Sequence, residues 1–293
     1  MRQPSRWARA ATFLAGLLVP TSASIEAQIP SSLGNERMAW MLRNLRPSGQ
    51  PVIPIFEGWY ENEDGTRSLC FGYYSLNTEQ ELDIPLGPDN FIEPSRFDGL
   101  QPTHFSRVPP EYRRHFCVFT VDLPGDYGAA DVTWTLRIDG RSYSVPGHTT
   151  SEHYQLEEPV ILSRGLAAPV VELVEPRGPT GRGRANDLVA RTTVTAGEPL
   201  PLTLSLSNPS GDPVGRVRVV WDKHQGPGAV AFGEEDVLIR EDRESLLEVS
   251  TTATLSAPGE YLLRVQAVDW TRGNSFGYEC CWTNGFVRVT VGP

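Results

Sequence analysis

Lysine is almost missing from this chain of 293 residues: Lys223 stands alone, and the remaining basic side chains are arginine. Acids outnumber bases to give a formal charge of −10, which argues against a binder of nucleic acid or of an anionic membrane. No apolar run approaches the roughly 20 residues that a bilayer-crossing helix needs, so no transmembrane segment is expected in the mature chain. Catalytic signatures are missing as well. There is no Gly-x-Ser-x-Gly, no His-Glu-x-x-His, no Cys-x-x-Cys and no phosphate-cradling glycine loop. No catalytic residue, metal ligand or cofactor is therefore assigned, and the balance leans away from an enzyme.

What is present begins with a leader-like N-terminus. Arg2, Arg6 and Arg9 precede the apolar run Ala10 to Val19 and the helix-breaking Pro20, with small residues Ala23 and Ala27 where a peptidase could cut. Residues 1–27 are expected to be a secretory signal peptide, and no cysteine near the cut suggests a lipid anchor. Cleavage after Ala27 removes three arginines and Glu26, leaving 266 residues with a charge of −12. The expected location is the periplasm, the cell surface or the exterior, an oxidising setting in which four cysteines favour disulfides.

The mature chain reads as all-β: two β-sandwich domains with turns supplied by 27 Gly and 25 Pro. Residues 28–46 hold the one helix-like stretch, with Met38, Met41, Leu42 and Leu45 at helical spacing. A first sandwich is expected over 47–165, with hairpins at Glu63-Asp64-Gly65 and Asp139-Gly140. Between Pro85 and Phe105 four prolines and no clean period predict a long irregular loop. Cys70 and Cys117 fall in strand patterns, and a bridge between them would staple this part. A second sandwich is expected over 166–293, with an exposed Gly/Arg-rich loop near 178–187.

That second part carries the clearest pattern. Leu200, Leu202, Leu204 and Leu206 alternate with Pro201, Thr203, Ser205 and Ser207, which predicts a half-buried strand. Four further alternations follow: Val217 to Trp221, Leu247 to Leu255, Tyr261 to Ala267 and Val287 to Val291. With Trp221 on the third strand and Tyr261 two residues after Gly259 in a tyrosine-corner setting, the segment from about 190 to 293 resembles the PKD-like and related immunoglobulin-like repeats of bacterial surface proteins. The cysteine pair of antibody domains is replaced by leucines. The resemblance implies an immunoglobulin-like sandwich; such repeats serve as spacers, adhesion modules and carbohydrate-binding accessories, so it implies little about activity. The whole chain, with FEGWYENEDGT and DIPLGPDNF, resembles exported bacterial proteins.

Candidate chemistry is sparse. His148 and His153 are read as solvated loop residues, and ENEDGT as a hairpin turn, because a calcium loop would place Phe71 at the closing carboxylate position. The segment from Asp269 to Gly285 is long for a hairpin loop and holds Trp270, Phe276, Tyr278 and Trp282, which form a candidate ligand-binding apex for a glycan or an envelope protein. The same aromatics could instead fold back as a plug. Adjacent Cys280 and Cys281 would form a vicinal bridge only across a sharp turn; one bridge elsewhere, or two buried thiols, are the alternatives. The main expectation is an exported non-catalytic binding or surface-structural protein. The competing one is a polymer hydrolase using acids of the 85–105 loop, such as Asp89, Glu93 and Asp98.

Overall fold

Alternating side chains and tight glycine turns produce a structure made of strands. The computed structural model describes residues 45–62, 64–108, 114–156, 168–183, 188–212, 214–239, 245–269 and 282–293. The signal segment, and the helix-like stretch except Leu45 and Arg46, lie outside the described residues. So do residues 184–187 of the 178–187 loop, whose described part includes the short strand Thr180–Arg182.

The N-terminal part contains β1 (Val52–Glu61), β2 (Arg67–Ser75), β3 (Leu82–Asp83), β4 (Asn90–Glu93), β5 (His104–Phe105), β6 (Arg114–Leu123), β7 (Val132–Ile138) and β8 (Arg141–Gly147). One sheet has the order β1-β2-β6, another β4-β7-β8, and β3 pairs with β5. Their inner faces share a core rich in aromatics, in which Phe71, Phe119 and Trp134 are fully buried and mutually packed. The β1–β2 hairpin closes through Asn62 and Thr66, while Asp64 Oδ1 accepts from the Thr66 amide at 2.9 Å. Asp139 and Gly140 turn the β7–β8 hairpin with φ of 51° and 73°, the left-handed pair that a two-residue hairpin needs.

The 85–105 segment departs from the irregular loop expected. It supplies β4 to the sheet with β7, a short 3₁₀ turn at Ser95–Phe97, and β5. Its anchor is the buried Asn90, whose amide donates to the carbonyls of Ile84 (2.9 Å) and Pro102 (2.7 Å), while its oxygen accepts from Trp134 Nε1 at 3.0 Å. A polar side chain in the core thus anchors a segment that hydrophobic period does not describe.

The C-terminal part contains β9 (Val170–Glu175), β10 (Thr180–Arg182), β11 (Val189–Thr195), β12 (Pro199–Ser207), β13 (Val217–Gln225), β14 (Val230–Phe232), β15 (Asp236–Ile239), β16 (Leu246–Leu255), β17 (Gly259–Asp269) and β18 (Trp282–Gly292). Two five-stranded sheets, β10-β9-β12-β16-β14 and β11-β18-β17-β13-β15, face each other, and β11 runs parallel to β18. This is an immunoglobulin-like sandwich. Leu202, Leu204, Leu206, Leu263, Val265, Val287 and Val289 are fully enclosed, with Trp221 among them. Tyr261 is buried, and its hydroxyl donates to the Ala257 carbonyl at 2.9 Å, closing the tyrosine corner.

Leu204→Ala is expected to lower unfolding free energy by about 3–5 kcal/mol, the cost of a cavity at a fully enclosed leucine. Tyr261→Phe, which removes only the corner hydrogen bond, is expected to cost about 1–3 kcal/mol. Urea unfolding measures both; a Tyr261→Phe protein as stable as the parent contradicts the corner's role.

Candidate functional site

The outer face of the β17–β18 region is unusual for an immunoglobulin-like sandwich because it is covered. Strand register aligns Arg218 with Val268, Val220 with Gln266 and Asp222 with Arg264, while Gln266 faces Asn284 and Arg264 faces Phe286 across β17 and β18. Arg264, Trp282, Asn284 and Phe286 are each at most 3% exposed. What covers them is the N-terminal part, along a polar seam.

The seam is built around a bulge in β6. Between the pairs Phe71–Phe119 and Tyr73–His115 the register shifts, and Cys117 adopts φ of 41°. Consecutive carbonyls of a regular strand point to opposite edges; the left-handed residue breaks that alternation. Phe116 O accepts from Gln266 Nε2 (3.3 Å) and Cys117 O from Asn284 Nδ2 (2.9 Å), so both oxygens are satisfied by the C-terminal sheet. Gly72 lies opposite the bulge, where a Cβ would collide with the His115 carbonyl and the Glu57 carboxyl. Cys70 and Cys117 are joined in a disulfide across a Cα separation of 5.2 Å, and Trp282 packs on it in a small apolar cluster.

Further along, Gln225 Nε2 donates to the carbonyls of Gly99 (2.9 Å) and Gln101 (2.8 Å), and the Thr103 amide donates to His224 O at 2.8 Å. His224 Nε2–H donates to Leu100 O at 2.9 Å, and Lys223 Nζ donates to Asp83 Oδ1 at 2.8 Å. Burial pushes both His224 and His115 down to about 4, so each is neutral at pH 7 and donates through Nε2, His115 to the Arg107 carbonyl at 2.9 Å.

Between the two parts lies an open cleft of about 140 Å3. Its walls carry four arginines and four carboxylates. Arg264 pairs with Asp222 through Nε and Nη2, and Arg218 pairs with Asp236. Burial opposes charge on Asp222, yet the Arg264 guanidinium outweighs it and holds the carboxyl below the usual range. Arg107 bridges Glu235 at 3.2 Å on the rim, and Arg114 lies over the Phe116 ring at 4.0 Å. Behind Arg114 sits Glu57, turned inward by a second bulge in β1 and 3.4 Å from Arg114. Burial pushes Glu57 up to about 7 against the pull of Arg114, and its Oε1 has no hydrogen-bond partner among the described residues.

The residues singled out from sequence fare differently. Trp282 begins β18 rather than belonging to a loop, and at 3% exposure against the disulfide it offers no binding surface. An aromatic assigned to the loop from sequence becomes the cover of the bridge in the N-terminal part. Trp270, Phe276, Tyr278, Cys280 and Cys281 lie outside the described residues. Asp89, Glu93 and Asp98 are exposed, and Asp98 is occupied structurally, accepting from the Ile92 amide at 3.0 Å and Gln101 Nε2 at 2.6 Å. The seam residues Glu57, Arg114, Asp222, Arg264, Gln266 and Asn284 were not among the sequence candidates. Their only signal was polarity alternating with core residues, which equally describes a solvated strand face.

No family model matches this chain, and neither does any curated protein. Among solved structures it is similar to domains 4 and 5 of the S-layer protein SbsC, with 13% identity and a TM-score of 0.24 over 56% of this chain and 66% of that one. The PapD-like domain 7 of human CEP192 shows 12% identity and a TM-score of 0.27, covering 42% of this chain and 84% of that one. The Yersinia pseudotuberculosis adhesin InvE shows 12% identity and a TM-score of 0.26, covering 82% and 58%. The immunoglobulin-like assignment rests on this chain's own strand order and core rather than on these likenesses.

The buried titrating groups set a pH dependence. An unfolded histidine protonates near 6.5, whereas His115 and His224 in the fold wait until about 4, so in that window the unfolded chain holds about two more protons. Glu57 acts oppositely, keeping its proton between 4.5 and about 7, where an unfolded glutamate has lost it. The net is about one proton taken up on unfolding near pH 5.5, so stability falls on acidification by about 1.4 kcal/mol per pH unit. Glu57→Gln removes the offset and is expected to steepen the slope to roughly two protons. Urea unfolding at several pH values reads the slopes; identical slopes for parent and variant contradict the buried, protonated state of Glu57.

Proposed function

We propose that this is an exported, non-catalytic binding or surface-structural protein that recognises a glycan or an envelope protein through the segment 269–285, using Trp270, Phe276 and Tyr278. The observation that carries the reading is the root of that segment. β17 and β18 pair up to Val268–Trp282, and Trp282 is packed on the Cys70–Cys117 bridge, so the segment leaves from a rigid base. Val217 pairs with Asp269, so the 208–216 connection leaves from the same end of the sheet. In immunoglobulin-like sandwiches this is an end used for recognition, and aromatic side chains there give contact area at low entropic cost.

Export is supported by the arginine-flanked apolar run at the N-terminus and by the disulfide, which persists in oxidising compartments. The reading divides the mature chain near residue 165. Among the described residues neither large core draws a member from 148–170, which supports that division.

The test is a glycan array and an envelope-fraction crosslinking experiment on the chain starting at Gln28, with Trp270→Ala and Tyr278→Ala as variants. A ligand captured by the parent and bound at least about tenfold more weakly by either variant, the loss expected for an aromatic anchor, is the predicted result. Turnover of a polymer substrate by the purified chain, with no ligand in either screen, contradicts it. Sequencing the secreted protein checks the leader, with Gln28 expected first.

A further inference from the structure

At one end of the N-terminal sandwich the β1–β2 turn, the connection after β6 and the chain after β8 border an open groove of about 450 Å3. That volume falls in the range of pockets that take a small ligand, roughly 300–1,000 Å3. One charged residue lines it, Arg67, and no carboxylate does. In a chain of formal charge −10 that composition stands apart from the cleft between the two parts, whose walls carry acids as well as bases.

Arg67 is exposed at the first position of β2 and forms no ion pair among the described residues, although Glu61 stands opposite it in the β1–β2 register. Its guanidinium lies 5.0 Å over the Trp59 ring, and Nη1 donates to Thr149 Oγ1 at 3.3 Å. Thr149 also lines the groove, so the cationic end of Arg67, and not only its aliphatic stem, stands at the wall. The rest of its planar fork has no acceptor among the described residues, and that fork is the donor geometry that matches a carboxylate. Neighbouring acids are engaged elsewhere. Asp64 Oδ1 accepts from the Thr66 amide and hydroxyl, and Asp122 accepts from Ser68 Oγ at 2.6 Å.

The remaining wall suits a ring that carries hydroxyls. Leu123 and Pro124 are apolar, while Thr149 and Thr150 bring hydroxyl groups. Tyr127 is pinned: its ring meets Phe97 edge-on at 5.5 Å, Arg96 lies over it at 4.9 Å, and its hydroxyl donates to Asp131 O at 3.1 Å. The wall is therefore held in shape before a ligand arrives. Turns and loops make most of it, rather than a strand edge that could pair with an extended peptide.

We propose that this groove binds a uronate unit of an acidic glycan. The sugar carboxylate accepts from the Arg67 fork, ring hydroxyls pair with Thr149 and Thr150, and the C–H face rests on Leu123 and Pro124. The site is separate from the 269–285 segment and does not depend on it.

The experiment is an amide NMR titration of the isotope-labelled chain from Gln28 onwards. The probes are the methyl glycosides of glucuronate and galacturonate, those of glucose and galactose, and a triglutamate peptide. Saturable shifts of the Gly128 and Thr150 amides with at least one uronide are expected, with its neutral counterpart bound about tenfold more weakly or worse. Arg67→Gln is expected to weaken uronide binding about tenfold or more. Gly125→Trp is the second variant. Gly125 lines the groove, and a Cβ there meets open space without a positive φ, so the indole fills the groove without touching Arg67 and should abolish the shifts. No saturable shift with either uronide, a neutral sugar or the peptide bound as tightly as the uronide, or full binding retained in either variant overturns the proposal. Shifts lost in Trp270→Ala but kept in Gly125→Trp also overturn it, and support the aromatic segment instead.

Discussion

Two backbone carbonyls that face away from their own sheet, those of Phe116 and Cys117, are the constraint on which the rest depends. β6 is the edge strand of the β1-β2-β6 sheet, and its bulge turns both oxygens outward. Buried carbonyls without donors would be costly, and an open strand edge invites pairing with other chains. Gln266 and Asn284 resolve both problems. The disulfide holds the bulge from within, Gly72 leaves room for it, and Trp282 covers it. From that contact the seam extends through His224, Gln225 and Lys223 to the turn after Phe97 and to β3, and the two sandwiches lie in one compact unit from Asn44 to Pro293.

The seam is polar, and that shapes what it can do. Buried ion pairs such as Arg264–Asp222 gain little net stability, since desolvation offsets much of the attraction. Their directional hydrogen bonds fix one relative placement of the sheets, and a misplaced seam would strand charges out of water. The arrangement suits a protein whose surface must stay in fixed register more than one that opens and closes. It also accounts for the cleft: where ion pairs rather than apolar side chains fill an interface, packing is incomplete.

Much of the fold was legible in the sequence because it rests on period. Leu200 to Leu206, Trp221 and the Tyr261 corner occupy the positions their alternation and spacing imply, and both Gly-centred hairpins close where expected. The seam was not legible, for a physical reason. Arg218, Asp222, Arg264 and Gln266 alternate with core residues as a solvated face would, and only a docked partner distinguishes a buried polar face from a wet one. Glu57 was hidden similarly, because its inward turn follows from a bulge between Phe56 and Gly58 that no periodic pattern announces. The 85–105 segment defeated period because polar side chains, the buried Asn90 and Gln101 with Asp98, organise it.

The claim at the centre is that the polar seam makes the two sandwiches one cooperative body. Scanning calorimetry of the chain from Gln28, followed by the same scan of the Gln266→Ala/Asn284→Ala protein, tests it most directly. A single transition in the parent that separates into two in the variant is the predicted result. Two transitions already present in the parent, or a variant that melts like the parent, would contradict it.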